Sequence, residues 1–159
     1  MVVDARQLKI VGGKRLSGGA ISIAGSSNQV TKCIIAALLT DETVTIKGAP
    51  DVDERRVVQD LFSHLGGKVQ HLDTEEFSVC AKEVDVYQIS EALCAKNRIS
   101  VLAAGPLLHR FGKVSFFGVL GGDKIGKRPV NFHIEALKQM GAQVEQEGNQ
   151  YHLSVGEEG

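Results

Sequence analysis

Two short stretches set the frame for this chain: Leu65-Gly66-Gly67-Lys68-Val69 and Met140-Gly141-Ala142-Gln143-Val144, placed 75 residues apart. Each closes a run with apolar residues at helical spacing and opens a run that alternates. Glycine therefore stands where a helix stops and a strand begins. The same order of elements is expected around both, β-α-β-α-β-β, in units of about residues 20–82 and 83–156, with 1–19 as an N-terminal strand and turn. A repeat at this scale means an architecture assembled from copies of one unit. A helix with one apolar stripe must bury it against a sheet or another helix, so the units are expected to pack around common helices. The fold class that follows is α/β (α+β), in one domain spanning residues 1–159.

The elements read as follows. Residues 8–11 and 20–23 are short apolar runs around a glycine-rich turn and predict strands. A helix is expected from about Asn28 to Leu39, capped by Ser26 or Ser27, with Val30, Cys33, Ile34, Ala37 and Leu38 inward. A strand at Val44–Ile46 precedes a second helix capped by Asp51 or Asp53, with Val57, Val58, Leu61, Phe62 and Leu65 inward and Gly66 as its stop. Residues 68–72 and 77–81 predict a hairpin. In the second half, strands are expected at Val84–Tyr87 and Val114–Phe117. Between them a long helix runs from about Ser90 to His109, which Pro106 kinks or ends. A last helix, Pro129 to Met140, turns Val130, Ile134, Leu137 and Met140 inward, and a second hairpin closes around Gly148-Asn149.

Composition narrows the function. With 159 residues the chain is large enough to bury roughly 70% of its unfolded surface. Net charge is −1, so no overall field recruits nucleic acid or an anionic membrane, and any anion site must be local. The absence of tryptophan and the scarcity of aromatic residues argue against a base-stacking surface. Cys33, Cys80 and Cys94 are an odd, scattered set, fitting buried thiols in a reducing cytoplasm better than disulfides or a zinc site. The N-terminus lacks the apolar run of a signal peptide, and no stretch approaches the ~20 apolar residues of a membrane span. No cofactor is expected.

One segment stands out chemically: Gly118 to His133, with glycines at 118, 121, 122 and 126, one acid, Asp123, and then Lys124, Lys127 and Arg128 before Pro129. Such a loop lets backbone approach a ligand closely. Proline suits a first helical position. Cations gathered before a helix whose N–H groups already attract anions point to a phosphate-bearing ligand, while a solvated charged loop would use the same residues.

The run from Gly121 to Ile134 resembles the mobile loop and following helix of the UDP-N-acetylglucosamine enolpyruvyl transferase family. So do Asn97-Arg98 with Ala104-Gly105-Pro106-Leu107, and Ala24-Gly25-Ser26-Ser27-Asn28 with Ala36-Ala37-Leu38-Leu39. The likeness extends from about Leu8 to Val155, and the Gly-Arg-Pro-Val type of loop is specific to this family and separates it from its shikimate-using cousin. The resemblance implies transfer of enolpyruvyl from phosphoenolpyruvate to the 3′-hydroxyl of UDP-N-acetylglucosamine, an early step of peptidoglycan synthesis. It implies a fold of two lobes, each an inside-out α/β barrel of three such units, with substrates in the cleft between them. On that reading the chain resembles the first lobe only. A second lobe or self-association is then expected to cover the bare cleft face.

Residue roles follow from the resemblance alone. Asp123 matches the loop residue thought to protonate the methylene carbon; most of the family has cysteine there, so the resemblance also implies indifference to the cysteine-alkylating antibiotic fosfomycin. Arg98 matches a phosphate-binding arginine and counts with Asp123 as a candidate catalytic residue. Arg128 and Lys124 belong to the loop that meets phosphate, and Pro129, Val130, Asn131 and Phe132 to the segment holding the uridine. Asn131 stands in place of the usual aspartate. Asn28 matches an asparagine that binds the sugar. Ser27 replaces a family lysine, a loss of positive charge that Lys32 or Lys124 would have to make good; Lys32 lies five residues on, a poor direction on a helix. The alternative is a non-catalytic UDP-sugar-binding domain or degenerate paralogue. The isolated chain is expected to be inactive, because in the family the base that takes the hydroxyl proton lies in the other lobe.

Overall fold

A computed structural model describes residues 11–13, 15, 17–118 and 129–156. The first half holds α1 (Ser27–Ala36), a 3-10 turn (Ala37–Leu39), β1 (Thr43–Ile46), α2 (Asp53–His64), β2 (Lys68–His71) and β3 (Phe77–Cys80). The second holds α3 (Glu91–Cys94), a 3-10 helix (Arg98–Ala103), α4 (Ala104–Phe111), β4 (Lys113–Phe117), α5 (Asn131–Gln139), β5 (Gln143–Glu147) and β6 (Gln150–Ser154).

The strands form two antiparallel three-stranded sheets, ordered β1-β3-β2 and β4-β6-β5. In each, the hairpin's second strand lies in the middle. Register places Val44 and Val69 on either side of Val79, and Val114 and Val144 on either side of Leu153. Val79, Val114 and Leu153 are buried and Val44, Val69 and Val144 pack against them, so one face of each sheet adjoins the core. The core runs through both halves, from Ile34, Leu38, Phe62 and Phe77 to Leu107, Phe116 and Leu153.

The helix ends correspond closely. After α2, Gly66 N–H donates to Ser63 O and Gly67 N–H to Phe62 O; after α5, Gly141 N–H donates to Lys138 O and Ala142 N–H to Leu137 O. Both glycines take positive φ, +99° at Gly66 and +102° at Gly141, which an L side chain rarely adopts.

Several expectations are corrected. Residues 20–23 are not a strand. Ile21 and Ile23 are 89% and 91% exposed, and alternating apolar residues make a strand only when a neighbouring edge accepts them. Val84–Tyr87 is irregular; its sheet contact comes as a single parallel bridge, Gln88 to Ser115. The long helix expected from Ser90 to His109 is broken after Cys94, and Asn97 restarts the chain by accepting a hydrogen bond from Ile99 N–H. Pro106 neither kinks nor ends α4: it sits in the first turn, where a missing N–H is tolerated. Neither Asp51 nor Asp53 caps α2. Val52 occupies that position, because Asp51 is drawn to Arg55 and Arg56 and Asp53 to Arg56. Met140 points outward, at 83% exposure. The cap on α1 is as expected, with Ser26 Oγ accepting from Gln29 N–H. Hairpins stand at both expected places.

Candidate functional site

Ser26 lies in extended backbone just before α1, and its hydroxyl satisfies one of the free N–H groups of the first turn. Ser27 and Asn28 follow as the first two helical residues, Ser27 half-buried and Asn28 exposed. The stripe that anchors α1 is Val30, Ile34, Ala37 and Leu38, with Thr31 and Ile35 also buried. Asn28 therefore stands on the helix's wet side. Its Oδ1 accepts from Lys32 Nζ at 3.4 Å, and Lys32 Nζ lies equally 3.4 Å from Thr31 Oγ1. Spacing of four residues brings Lys32 to Asn28, although not to Ser27. An ammonium group thus sits one turn into α1, on the expected sugar-binding residue.

Arg98 opens the second-half 3-10 helix and is half-buried. Asn97 holds that start in place. Its Oδ1 accepts from Ile99 N–H at 2.9 Å and its carbonyl from Ser100 Oγ at 3.2 Å. The other end of the same amide, Nδ2, is buried without a hydrogen-bond partner. An unpaired buried donor of this kind costs about 1–3 kcal/mol. Ser100, Val101 and Ala103 pack this segment into the core, and α1 packs directly against it. Ser27 and Asn28 are thereby carried by one of two contacting elements and Arg98 by the other.

Of the remaining expected residues, Pro129 is exposed and Val130 is buried as the residue before α5. Asn131 and Phe132 form the exposed first turn of α5, Phe132 at 78%. Val130 acts as an apolar anchor that fixes where α5 begins, leaving its two successors in solvent. Asp123, Lys124 and Arg128 lie outside the described residues. Two residues to which sequence reasoning gave little or no role join the arrangement: Lys32 and Asn97. The signal for Lys32 was its i,i+4 relation to Asn28, and for Asn97 its place immediately before Arg98.

Among the described residues no group of three or more His, Cys, Asp and Glu is placed to hold a metal ion, and no helix is long and apolar enough to cross a membrane. Burial pushes the Cys94 thiol above its ordinary pKa, against the opposing pull of Phe117 N–H, which donates to its sulfur at 3.4 Å.

Comparison with known proteins bears on these features. The chain is 38% identical over 141 residues to a UDP-N-acetylglucosamine 1-carboxyvinyltransferase of Wolinella succinogenes, covering 89% of this chain and 33% of that protein. It is 32% identical over 148 residues to the enzyme of that name from Chlamydia pneumoniae, covering 92% of this chain and 32% of the relative. The chain thus spans about a third of the length of the curated relatives it matches. Among solved structures, the enolpyruvyl transferase NikO from Streptomyces tendae superposes with a TM-score of 0.73 at 22% identity, over 91% of this chain and 31% of that one. The EPSP synthase of Acinetobacter baumannii superposes at 0.61 with 15% identity, over 87% of this chain and 32% of its own; these two likenesses speak to the fold. A profile of the EPSP synthase (3-phosphoshikimate 1-carboxyvinyltransferase) family matches residues 10–158, and this chain belongs to that family.

Proposed function

We propose that the chain supplies the UDP-sugar- and phosphoenolpyruvate-binding part of an enolpyruvyl transferase acting on UDP-N-acetylglucosamine, in the synthesis of peptidoglycan precursor. In this reading residues 1–159 are part of one lobe of inside-out barrel type, with units at about 20–82 and 83–156. The observation that carries the reading is the packing of α1, with Ser27, Asn28 and Lys32 on its first turns, against the 3-10 helix that begins at Arg98. Sequence identity to enzymes of that name supports the choice of acceptor.

The chemistry is addition followed by elimination. The sugar 3′-hydroxyl attacks C2 of phosphoenolpyruvate while C3 gains a proton, and the adduct then loses phosphate and a proton from C3. Asp123 is the proton donor to C3 in this proposal. Arg98, Lys124 and Arg128 balance the phosphate charge. Asn28 and Ser27 hold the sugar, and Pro129, Val130, Asn131 and Phe132 hold the uridine. A cation aimed at developing charge in a closed site contributes several kcal/mol. Lys32, hydrogen-bonded to Asn28, provides positive charge near the position where Ser27 provides none. The base that accepts the hydroxyl proton is supplied from outside these residues, so the chain alone binds without turning over.

Titration of the 159-residue chain with UDP-N-acetylglucosamine, followed by amide NMR, tests this directly. Shifts at Asn28, Arg128 and Asn131 are expected, and their absence rejects both the transferase reading and that of a UDP-sugar-binding module. A phosphate-release assay on the chain should read background. Ser27→Lys should tighten phosphoenolpyruvate binding. Incubation with fosfomycin should leave the mass of the chain unchanged.

A further inference from the structure

Thr31 is the one polar residue buried on α1, at 2% exposure, among Val30, Ile34 and Ile35. Its hydroxyl lies 3.3 Å from Ser27 O and 3.1 Å from Asn28 O, the carbonyls four and three residues back. A hydroxyl carries one hydrogen, so it donates to one carbonyl at a time and keeps lone pairs to accept with. Lys32 uses one of them: its Nζ is 3.4 Å from Thr31 Oγ1 and 3.4 Å from Asn28 Oδ1. Adjacent residues do not ordinarily meet on a helix. These two meet because both side chains lean toward the helix N-terminus, the hydroxyl to bond the preceding turn and the lysine stem to reach Asn28.

A buried threonine needs no lysine; the carbonyls behind it satisfy its hydroxyl. The lysine is the member that depends on the contact. The start of α1 carries the positive end of the helix dipole, its first turn holds no acid, and among the described residues no carboxylate pairs with Lys32. An exposed ammonium, disfavoured at this end and free to rotate, gains by standing out in water. Two neutral oxygens draw it back over the first turn instead. An ammonium has three N–H groups. Asn28 and Thr31 take two, which leaves one for an oxygen of a ligand.

We infer that Thr31 is a positioning residue of the substrate site: its hydroxyl holds the Lys32 ammonium beside Asn28, where it meets a phosphate or carboxylate oxygen of phosphoenolpyruvate. The inference rests on the role proposed above for Lys32 and says what makes that role possible. Thr31 touches no ligand and acts through its neighbour.

Calorimetric titration of the 159-residue chain with phosphoenolpyruvate measures the effect. Thr31→Val keeps the shape and removes the hydroxyl, and should lower affinity about threefold to tenfold. Thr31→Ser restores the hydroxyl and should bring affinity back to within about twofold of the original. Lys32→Met should lower it by about tenfold or more. In the Lys32→Met background, Thr31→Val should do nothing further, a coupling that a merely structural role does not produce. In the ligand-free chain, NMR of the lysine ammonium groups should show the Lys32 signal move on Thr31→Val and return on Thr31→Ser. Circular dichroism establishes that each variant is folded; if Thr31→Val is not, Thr31→Ala takes its place. A chain that binds no phosphoenolpyruvate before any substitution overturns the proposed function and this inference with it. Binding that is present but indifferent to Thr31→Val, or lowered by it equally with and without Lys32, overturns the inference alone, as does a Lys32 signal that stays in place.

Discussion

The last helix of the first half, α2, and the last helix of the second, α5, end in matching hydrogen bonds yet differ in what lies over them. Leu65 is fully buried where Met140 is 83% exposed. A glycine turn is decided locally, by φ and by two backbone hydrogen bonds. Burial is decided by the neighbours, and α2 has α1 and the 3-10 helix where α5 has a groove. Matching local sequence therefore specifies the turn and leaves the energetic weight of the preceding helix to its surroundings.

Paired substitutions sharpen this contrast. The largest difference is expected at Phe62 and Leu137, which correspond in position. Phe62 is fully buried, and Phe62→Ala should cost about 3–5 kcal/mol in urea unfolding, against about 1 kcal/mol for Leu137→Ala at its half-buried site. Leu65→Ala and Met140→Ala should follow the same order, at about 3 kcal/mol and within about 0.5 kcal/mol. Equal losses within either pair would mean that coverage by neighbouring elements does not set what these helices contribute to stability.

Next comes Arg55, buried to 4% exposure on α2. Its Nη1 donates to Ala49 O and Thr74 O, its Nη2 to Asp51, and its guanidinium lies 5.5 Å from the Phe77 ring centroid. Arg55→Met leaves two carbonyls short of a donor and should cost about 2–4 kcal/mol by thermal or urea denaturation. The residue 75 positions on is Val130, which carries no such network.

Gly66 and Gly141 come third. Both have positive φ, but a Cβ at Gly66 would sit 2.8 Å from the Glu83 carbonyl oxygen, whereas one at Gly141 meets nothing. Gly141→Ala should cost about 1 kcal/mol from backbone conformation, and Gly66→Ala at least about twice that, since backbone must move. Denaturation midpoints of the two variants measure the gap directly.

The smallest effect concerns Cys94. Its folded pKa is raised by burial, so the folded state holds its proton to higher pH than the unfolded state does. Stability is therefore undiminished below the unfolded thiol's pKa and falls as pH rises from about 8.5 toward the folded pKa, by less than about 1.4 kcal/mol per pH unit. Cys94→Ala should flatten that slope. Iodoacetamide at pH 8 should label the half-exposed Cys33 and Cys80 well before Cys94.

Much of the fold was legible because it rests on local signals. Ser26 as a cap, Gly66 and Gly141 as stops, and alternation on each side of Gly148-Asn149 are short-range chemistry, and each stands where expected. What failed was settled at a distance. Ile21 and Ile23 alternate as a strand should, but nothing pairs with them among the described residues. Met140 has helical phase with Ile134 and Leu137, but no neighbour to meet. The break after Cys94 was hidden because apolar residues run on through Val101 and Leu102. Asn97, whose side chain competes for backbone hydrogen bonds, was the available sign. In the candidate site, Asn28 and Arg98 were picked out through resemblance, while the reach of Lys32 to Asn28 required coordinates.

One clamp has a consequence for how the molecule assembles. Arg110 near the end of α4 donates to Leu38 O at 3.1 Å and pairs with Asp41 at 2.8 Å, closing the end of the first helical segment from about 70 residues away in sequence. Contacts of such separation carry a loop-closure entropy cost, which slows the folding of the whole. They also tie the halves into one cooperative unit. Amides of α1 should exchange with deuterium at the rate set by global opening, and a fragment ending after β3 should lack a settled native state.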